Sequence, residues 1–236
     1  MWDNPRLLNI AAGALVGIAA LLFAFAGFVL LLRSQFFPVT QVDIARPLGK
    51  TTREEIEAVL GTAIRGNFFA LDAEQLRAAL EALPWVRRAS VRRRWPDRLE
   101  VSIEEHVPLS RWRDEALLNT YGERFNGASD EPLPRFIGPS GSEQELARRY
   151  ARFTALVAPL GAVVEELVLT PRYAWQLRLA GGLELVLGRE GDGAEARLAK
   201  FVAAYPSTLG TIGRAHGYVD LRYPNGFALR LAQPKG

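Results

Sequence analysis

The chain opens with one long apolar segment and continues with the shorter periodic patterns of a folded region. Residues 7–32 include one clearly polar side chain, Asn9, close to the start of the run. As a helix, this segment is about 39 Å long, which exceeds the roughly 30 Å of a bilayer's hydrocarbon core. The pattern predicts a transmembrane helix over residues 7–32, preceded by a short tail of residues 1–6.

A cleaved signal peptide is the alternative, because Ala24-Phe25-Ala26 has the small-x-small spacing of a cleavage site. The apolar run continues past this site to Leu32, whereas the apolar region of a signal peptide spans about 7–15 residues. An uncleaved anchor is therefore favoured. Its orientation stays open on charge, since one arginine precedes the segment and three cations follow it closely, which mildly disfavours export of the C-terminal part.

Residues 39–107 predict a small domain with the order β-α-α-β-β. The predicted elements are a strand at 39–44, helices beginning at Thr52 and Asp72, and strands at 86–94 and 99–103. Thr52 with Glu55 has the spacing of a capping box, and Trp95-Pro96-Asp97-Arg98 predicts the turn between the last two strands. We expect Trp85 to be buried behind this hairpin.

Residues 108–233 predict a mixed β domain with a few helices. The predicted strands are 110–112, 117–119, 163–169, 173–179, 183–187, 218–222 and 227–231, and the helices are one capped by Ser142 and Glu145 and one near 194–205. Residues 127–141 are rich in Gly, Ser and Pro and are expected to form a connection. Gly181-Gly182 and Pro224-Asn225-Gly226 predict hairpins, and the last strand is expected at a sheet edge. The fold class is therefore α+β.

The composition argues against an enzyme. The absence of cysteine excludes a disulfide, a Cys-ligated zinc and a Cys nucleophile. The two histidines, His106 and His216, stand far apart, and the glycine-containing segments fit neither a nucleophile elbow nor a phosphate-binding loop. We therefore expect no catalytic residues, no cofactor and no metal.

Six arginines cluster on the first predicted hairpin: Arg87, Arg88, Arg92, Arg93, Arg94 and Arg98. One interpretation is a phosphate-binding patch. The favoured interpretation is a solvated strand face whose arginines contact Glu100, Glu104 and Glu105 across the hairpin. Few aromatic residues interleave with the arginines, so nucleic acid is not expected. Anionic lipid headgroups are a further possibility for a domain tethered to a bilayer.

The chain resembles the FtsQ/DivIB family of bacterial cell division proteins over essentially its whole length. The residues that carry the resemblance are Gly66-Asn67-Phe68-Phe69, Leu83-Pro84-Trp85-Val86, Ala89–Arg93, Trp95–Leu99, Trp175-Gln176-Leu177, Leu187-Gly188-Arg189, Val219–Tyr223 and Gly226-Phe227-Ala228. The resemblance implies one transmembrane helix, a POTRA domain at 39–107 and a β domain at 108–233, both periplasmic. It thereby implies that the inner-membrane anchor has residues 1–6 as a cytoplasmic tail, and that the protein is located at the division septum.

The resemblance also implies a partner site. Family members are non-catalytic scaffolds that bind FtsB and FtsL and connect early septal proteins with septal peptidoglycan synthesis. In the family, FtsB adds a strand beside the last strand of the β domain. The matching positions in this sequence are Tyr223, Asn225, Gly226, Phe227, Ala228 and Leu229, with Arg172 upstream. The simpler interpretation gives Gly226 to the turn and lets Phe227 and Leu229 pack inward. An alternative function, known for other POTRA modules, is to bind unfolded or outer-membrane client proteins.

Overall fold

The computed structural model of the protein contains two units, and the first of them begins with an apolar helix. The structure describes residues 5–33, 40–45, 48–63, 68, 71–189, 193–208, 210, 216–223 and 226–231. Helix α1, Pro5–Arg33, contains a 22-residue stretch, Asn9–Leu30, that is long and apolar enough to cross a membrane. None of that stretch is buried against protein. Because so much exposed apolar surface is unfavourable in water, α1 is a candidate membrane-spanning helix.

The first unit, Met1–Glu105, contains a three-stranded sheet covered by two helices. Its elements are β1 (Gln41–Ile44), α2 (Arg53–Ala63), α3 (Ala73–Glu81), β2 (Val86–Arg94) and β3 (Arg98–Glu105). The sheet order is β1-β3-β2, with β1 parallel and β2 antiparallel to β3. Leu99, Val101 and Ile103 alternate into the core with the helix residues Ile56 and Leu76. The predicted β-α-α-β-β order is confirmed.

Local signals start both helices. The amide of Thr52 donates to Glu55 at 2.9 Å, and the amide of Glu55 donates back to the Thr52 hydroxyl at 3.2 Å. The Asp72 carboxylate accepts from the amides of Glu74 and Gln75. These contacts satisfy N–H groups that a helix cannot pair internally, which is why the sequence places both starts correctly.

Two contacts of the first hairpin differ from prediction. Trp85 is half-buried rather than buried, and Lys50 Nζ lies 5.5 Å from its ring centroid. Arg87 and Arg94 do pair with Glu104 and Glu100 across the hairpin. Glu105 does not join them, because its carboxylate accepts hydrogen bonds from the amides of residues 49–51 instead, at 2.6–3.2 Å.

Glu105 therefore fastens the loop after β1 to the end of β3. Burial raises the pKa of Glu105, but the hydrogen bonds from Thr51, Gly49 and Lys50 outweigh it and hold the pKa below its ordinary value of 4.5. A carboxylate whose pKa is lower in the folded state stabilises that state above the unfolded pKa. The stabilisation is lost as the pH falls through the folded pKa.

We predict that Glu105→Gln weakens this loop by about 1–2 kcal/mol, since charge-assisted hydrogen bonds are lost. Hydrogen exchange of residues 41–51 in the full chain should accelerate roughly 5- to 30-fold at neutral pH. The difference from wild type should shrink below pH 4.5. Glu57→Gln, which removes an exposed carboxylate 3.7 Å from Arg53, is the control and should leave exchange unchanged. Equal exchange in wild type and Glu105→Gln would contradict the role of Glu105.

The second unit, His106–Gly236, is built on one mixed sheet. Its strands are β4 (Pro108–Trp112), β5 (Ala116–Asn119), β6 (Arg124–Phe125), β7 (Arg135–Ile137), β8 (Val164–Leu169), β9 (Ala174–Leu179), β10 (Glu184–Arg189), β11 (His216–Asp220) and β12 (Ala228–Leu231). The order is β12-β11-β10-β9-β8-β7-β4-β5-β6. Gly181 and Gly182, with φ of 90° and 86°, make the predicted turn between β9 and β10. The α+β class is confirmed.

The predicted connection at 127–141 was wrong in one respect, because it contains β7. This strand lies inside the sheet and pairs in parallel with both β4 and β8. Its three residues are too few to show a period against the surrounding Gly, Ser and Pro, and only Phe136 is fully buried. Pairing from both sides, rather than local preference, determines this strand.

Two helices cover the sheet: α4 (Glu143–Val157) and α5 (Ala194–Ala204). Phe153 and Phe201 are buried in one core with Leu167, Trp175 and Leu185. The helix at α4 was predicted, but not its cap. Ser142 makes no capping hydrogen bond, since its hydroxyl donates to the carbonyl of Pro139 at 2.6 Å.

Candidate functional site: an edge strand and a basic groove

The last strand, β12, lies at one edge of the large sheet, as predicted. It pairs antiparallel with β11, placing Ala228 opposite Asp220 and Leu229 opposite Val219. No strand pairs with its other side among the residues that the structure describes. An edge strand presents unpaired N–H and C=O groups, so β12 is a template for one more strand.

The residue before β12 packs inward, whereas the next three side chains are exposed. The Phe227 ring contacts the Phe201 ring edge-on, with centroids 5.5 Å apart and an interplanar angle of 83°. Arg230 lies 5.5 Å over the ring of Tyr218 on β11. Ala228 is exposed and Leu229 is 36% exposed. Phe227 therefore fixes the start of the strand to α5, while the following residues leave their edge accessible.

A groove of about 1370 Å³ lies next to the residues that lead into β12. Its lining residues come from the loop between β8 and β9, the start of β9, the end of β10, α5 and the segments after β11 and before β12: Thr170, Pro171, Arg172, Ala174, Gly188, Arg189, Gly193, Ala196, Arg197, Lys200, Phe201, Ala204, Leu221, Arg222, Tyr223, Gly226 and Phe227. The groove brings Arg172 to the same surface as Tyr223, although 50 residues separate them in sequence. The Tyr223 side chain is 56% exposed.

The groove is lined by five cations and by no carboxylate within the described part of the chain. Arg197 is held in place, because its guanidinium donates to the carbonyls of Leu187 at 2.7 Å and Arg189 at 3.0 Å. Arg172, Arg189 and Lys200 are exposed and make no ion pair with any residue that the structure describes. Three accessible cations around a partly apolar floor favour a ligand that carries both carboxylates and apolar side chains.

The fourth exposed cation, Arg222, is fixed by a neighbouring carboxylate. Its guanidinium contacts both oxygens of Asp220, at 2.6–3.1 Å, and its amide donates to the same carboxylate at 3.0 Å. The hydrogen bonds from Arg222 hold the pKa of Asp220 below its ordinary value, although burial opposes them. The same pair raises the pKa of Arg222. The guanidinium of Arg222 therefore has a fixed orientation at the groove.

Gly188 makes room for this arrangement. It lies at a β-bulge in β10 with a φ of 80°, a conformation that favours glycine. A Cβ at this position would lie 3.0 Å from Arg222 Cγ and 3.3 Å from Arg197 Nη2. Gly188 thus lets two groove arginines approach the strand.

The structure places six of the seven sequence-predicted site residues at the groove or on the edge strand. Arg172, Tyr223, Gly226 and Phe227 line the groove, and Ala228 and Leu229 belong to β12. Asn225 lies outside the described residues. Phe227 also packs inward, as the simpler interpretation expected. Arg189, Arg197, Lys200 and Arg222 were missed as a group, because the four cations come together only in the folded sheet.

Comparisons with known proteins decide the family. Residues 37–106 match the family described as "POTRA domain, FtsQ-type", and residues 110–222 match "Cell division protein FtsQ/DivIB, C-terminal". Together these matches cover most of the chain. The chain belongs to the FtsQ/DivIB family of cell division proteins.

The relatives of this FtsQ/DivIB chain match it nearly end to end. The cell division protein FtsQ of Burkholderia pseudomallei is 41% identical over 237 residues, which cover 98% of this chain and 95% of the relative. The FtsQ of Nitrosospira multiformis is 42% identical over 235 residues, covering 98% and 99%. The FtsQ of Coxiella burnetii is 34% identical over 230 residues, covering 96% and 94%. The C-terminal family match ends at residue 222, just before Tyr223 and the edge strand.

We predict that Gly188→Ala displaces the Arg222 side chain in the groove, because the new methyl group would contact it. An alanine at another glycine with positive φ should add backbone strain without displacing Arg222. An alanine with positive φ costs about 1–2 kcal/mol at either of two sites, so Gly182→Ala, with a φ of 86° and open space around it, is the matched control. Only Gly188→Ala should shift the Nε–H resonance of Arg222 in a nuclear magnetic resonance spectrum. An unchanged Arg222 resonance would show that Gly188 does not set its position.

Proposed function

We propose that this FtsQ/DivIB chain is a non-catalytic, membrane-anchored scaffold that binds FtsB, and with it FtsL, at β12 and the adjoining groove. Through these partners it connects early septal proteins with septal peptidoglycan synthesis. The observation that carries the proposal is that β12 pairs with β11 and with no other strand in the described part of the chain. A segment of FtsB adds to its open side by main-chain hydrogen bonds, and the groove reads the side chains of that segment.

Charge supports the groove's part in recognition. Five cations line it without a carboxylate among the described lining residues, and Arg172 stands at its far side from β12. A partner segment that continues past the added strand into this groove gains from acidic side chains facing Arg172, Arg189 and Lys200. Tyr223 lies between strand and groove, and its exposed ring offers contact area with little conformational entropy to lose.

The test is calorimetric titration of the full chain in nanodiscs with the periplasmic segment of FtsB. Tyr223→Ala should weaken binding by about 2 kcal/mol, roughly thirtyfold, if the ring is an anchor. Arg172→Glu should weaken it roughly tenfold, and more at low salt, because a favourable charge becomes repulsive.

Arg88→Glu is the control for charge, since Arg88 is exposed, lies in the first unit and has no ion pair among the described residues. It should bind FtsB as wild type does. Wild-type affinity in both Tyr223→Ala and Arg172→Glu, with folding shown by circular dichroism, would place the partner site elsewhere.

The proposed topology has residues 1–6 in the cytoplasm and both folded units in the periplasm. Because the chain contains no cysteine, single cysteines report location without background labelling. In intact spheroplasts, a membrane-impermeant maleimide should label Asp130→Cys, an exposed position of the second unit, and leave Asp3→Cys unlabelled until the membrane is lysed. The reverse pattern would overturn the orientation.

A further inference from the structure

The tip of the β2–β3 hairpin carries a feature that partner binding at β12 does not use. Trp95, at the turn, is 80% exposed, which is unusual for so large an apolar side chain. Residues 92–100 around it contain four arginines and two carboxylates. All four arginines are exposed, and Arg93 donates to the carbonyl of Leu71.

Both carboxylates near the tip already have partners. Asp97 accepts from the hydroxyl of Thr40 at 2.5 Å, and Glu100 accepts from Arg94 Nε at 2.9 Å. Arg92 and Arg98 have no ion pair among the residues that the structure describes. The tip therefore combines an exposed indole with excess positive charge, a pairing typical of segments that lie at a membrane interface.

The fold holds this tip close to the anchor. Thr40 donates from its amide to the carbonyl of Asp97 at 3.0 Å, and β1 then runs beside β3 with Gln41 opposite Arg98. Helix α1 ends at Arg33. Six residues separate Arg33 from Thr40, and the seven steps between these two Cα atoms span at most about 25 Å. The covalent connection therefore keeps Thr40, which is bonded to the tip, within that distance of the end of α1. The chain leaves the unit at Glu105, the opposite end of β3.

We propose that the hairpin tip docks on the bilayer surface, with the Trp95 indole among the lipid headgroups and Arg92 and Arg98 facing the phosphates of anionic phospholipids. The inference rests on the membrane-anchored topology of the proposed function. A tethered domain needs little affinity to dock, because its anchor raises the effective lipid concentration. Docking restricts how the three-stranded sheet of the first unit moves relative to α1.

The test is fluorescence of the full chain in nanodiscs containing brominated lipids, which quench indoles at short range. The difference between wild type and Trp95→Phe isolates Trp95 from the other four tryptophans. With brominated anionic lipid, this difference signal should be at least halved, and in purely zwitterionic brominated lipid it should be quenched less. Arg92→Gln combined with Arg98→Gln should restore most of the lost signal.

Arg148→Gln with Arg152→Gln is the matched control, because it removes two exposed arginines from the second unit. It should leave quenching of Trp95 unchanged. A difference signal that brominated lipid does not quench would overturn the proposal, as would equal quenching in anionic and zwitterionic bilayers.

FtsB titration of the same samples separates this inference from the proposed function. Trp95→Phe should bind FtsB with wild-type affinity. If Tyr223→Ala bound FtsB normally while Trp95 was quenched, the partner site would be wrong and the docking of the hairpin would stand.

Discussion

The parallel pairing of β11 with β10 is the constraint on which the candidate site depends. Two parallel neighbours need a crossover, and α5 supplies it between Arg189 and His216. The crossover places α5 over the sheet next to its end and brings the segment after β11 beside the bulge at Gly188. With β11 in that position, β12 turns back along its outer side and becomes the edge. The parallel pairing of β10 with β11 therefore accounts for the edge position of β12, the position of α5 and the groove that α5 lines.

The positive charge of the groove makes the proposed binding surface selective for acidic partners. Arg222 is held by Asp220, and Arg197 by two carbonyls of β10, so two cations have fixed directions, while Arg172, Arg189 and Lys200 project without an ion pair within the described residues. Backbone pairing alone accepts many extended segments. Cations that repel basic segments and attract acidic ones narrow that choice, as specificity requires. The apolar floor, including Phe201 and Phe227, adds contact area.

Sequence reasoning succeeded where a signal is local. The capping box at Thr52, the alternation of Leu99, Val101 and Ile103, and the Gly181-Gly182 turn each depend on residues within a few positions. It failed where neighbours in space decide. Strand β7 exists because β4 and β8 flank it. Trp85 is half-buried because it lies in the turn between α3 and β2, outside the buried cluster of the first unit. Tyr223 and Arg172 were reached by family resemblance, but the cations of the groove are dispersed over 50 residues and become a cluster only through the sheet order.

Hydrogen exchange of residues 226–231 in the full chain, with and without the periplasmic segment of FtsB, tests the central claim most directly. Strand addition pairs the outward amides of β12 with the partner's carbonyls, and these amides should then exchange at least tenfold more slowly. The inward amides, already paired with β11, should change less. Protection confined to another part of the molecule, with residues 226–231 exchanging as in the free protein, would contradict the account.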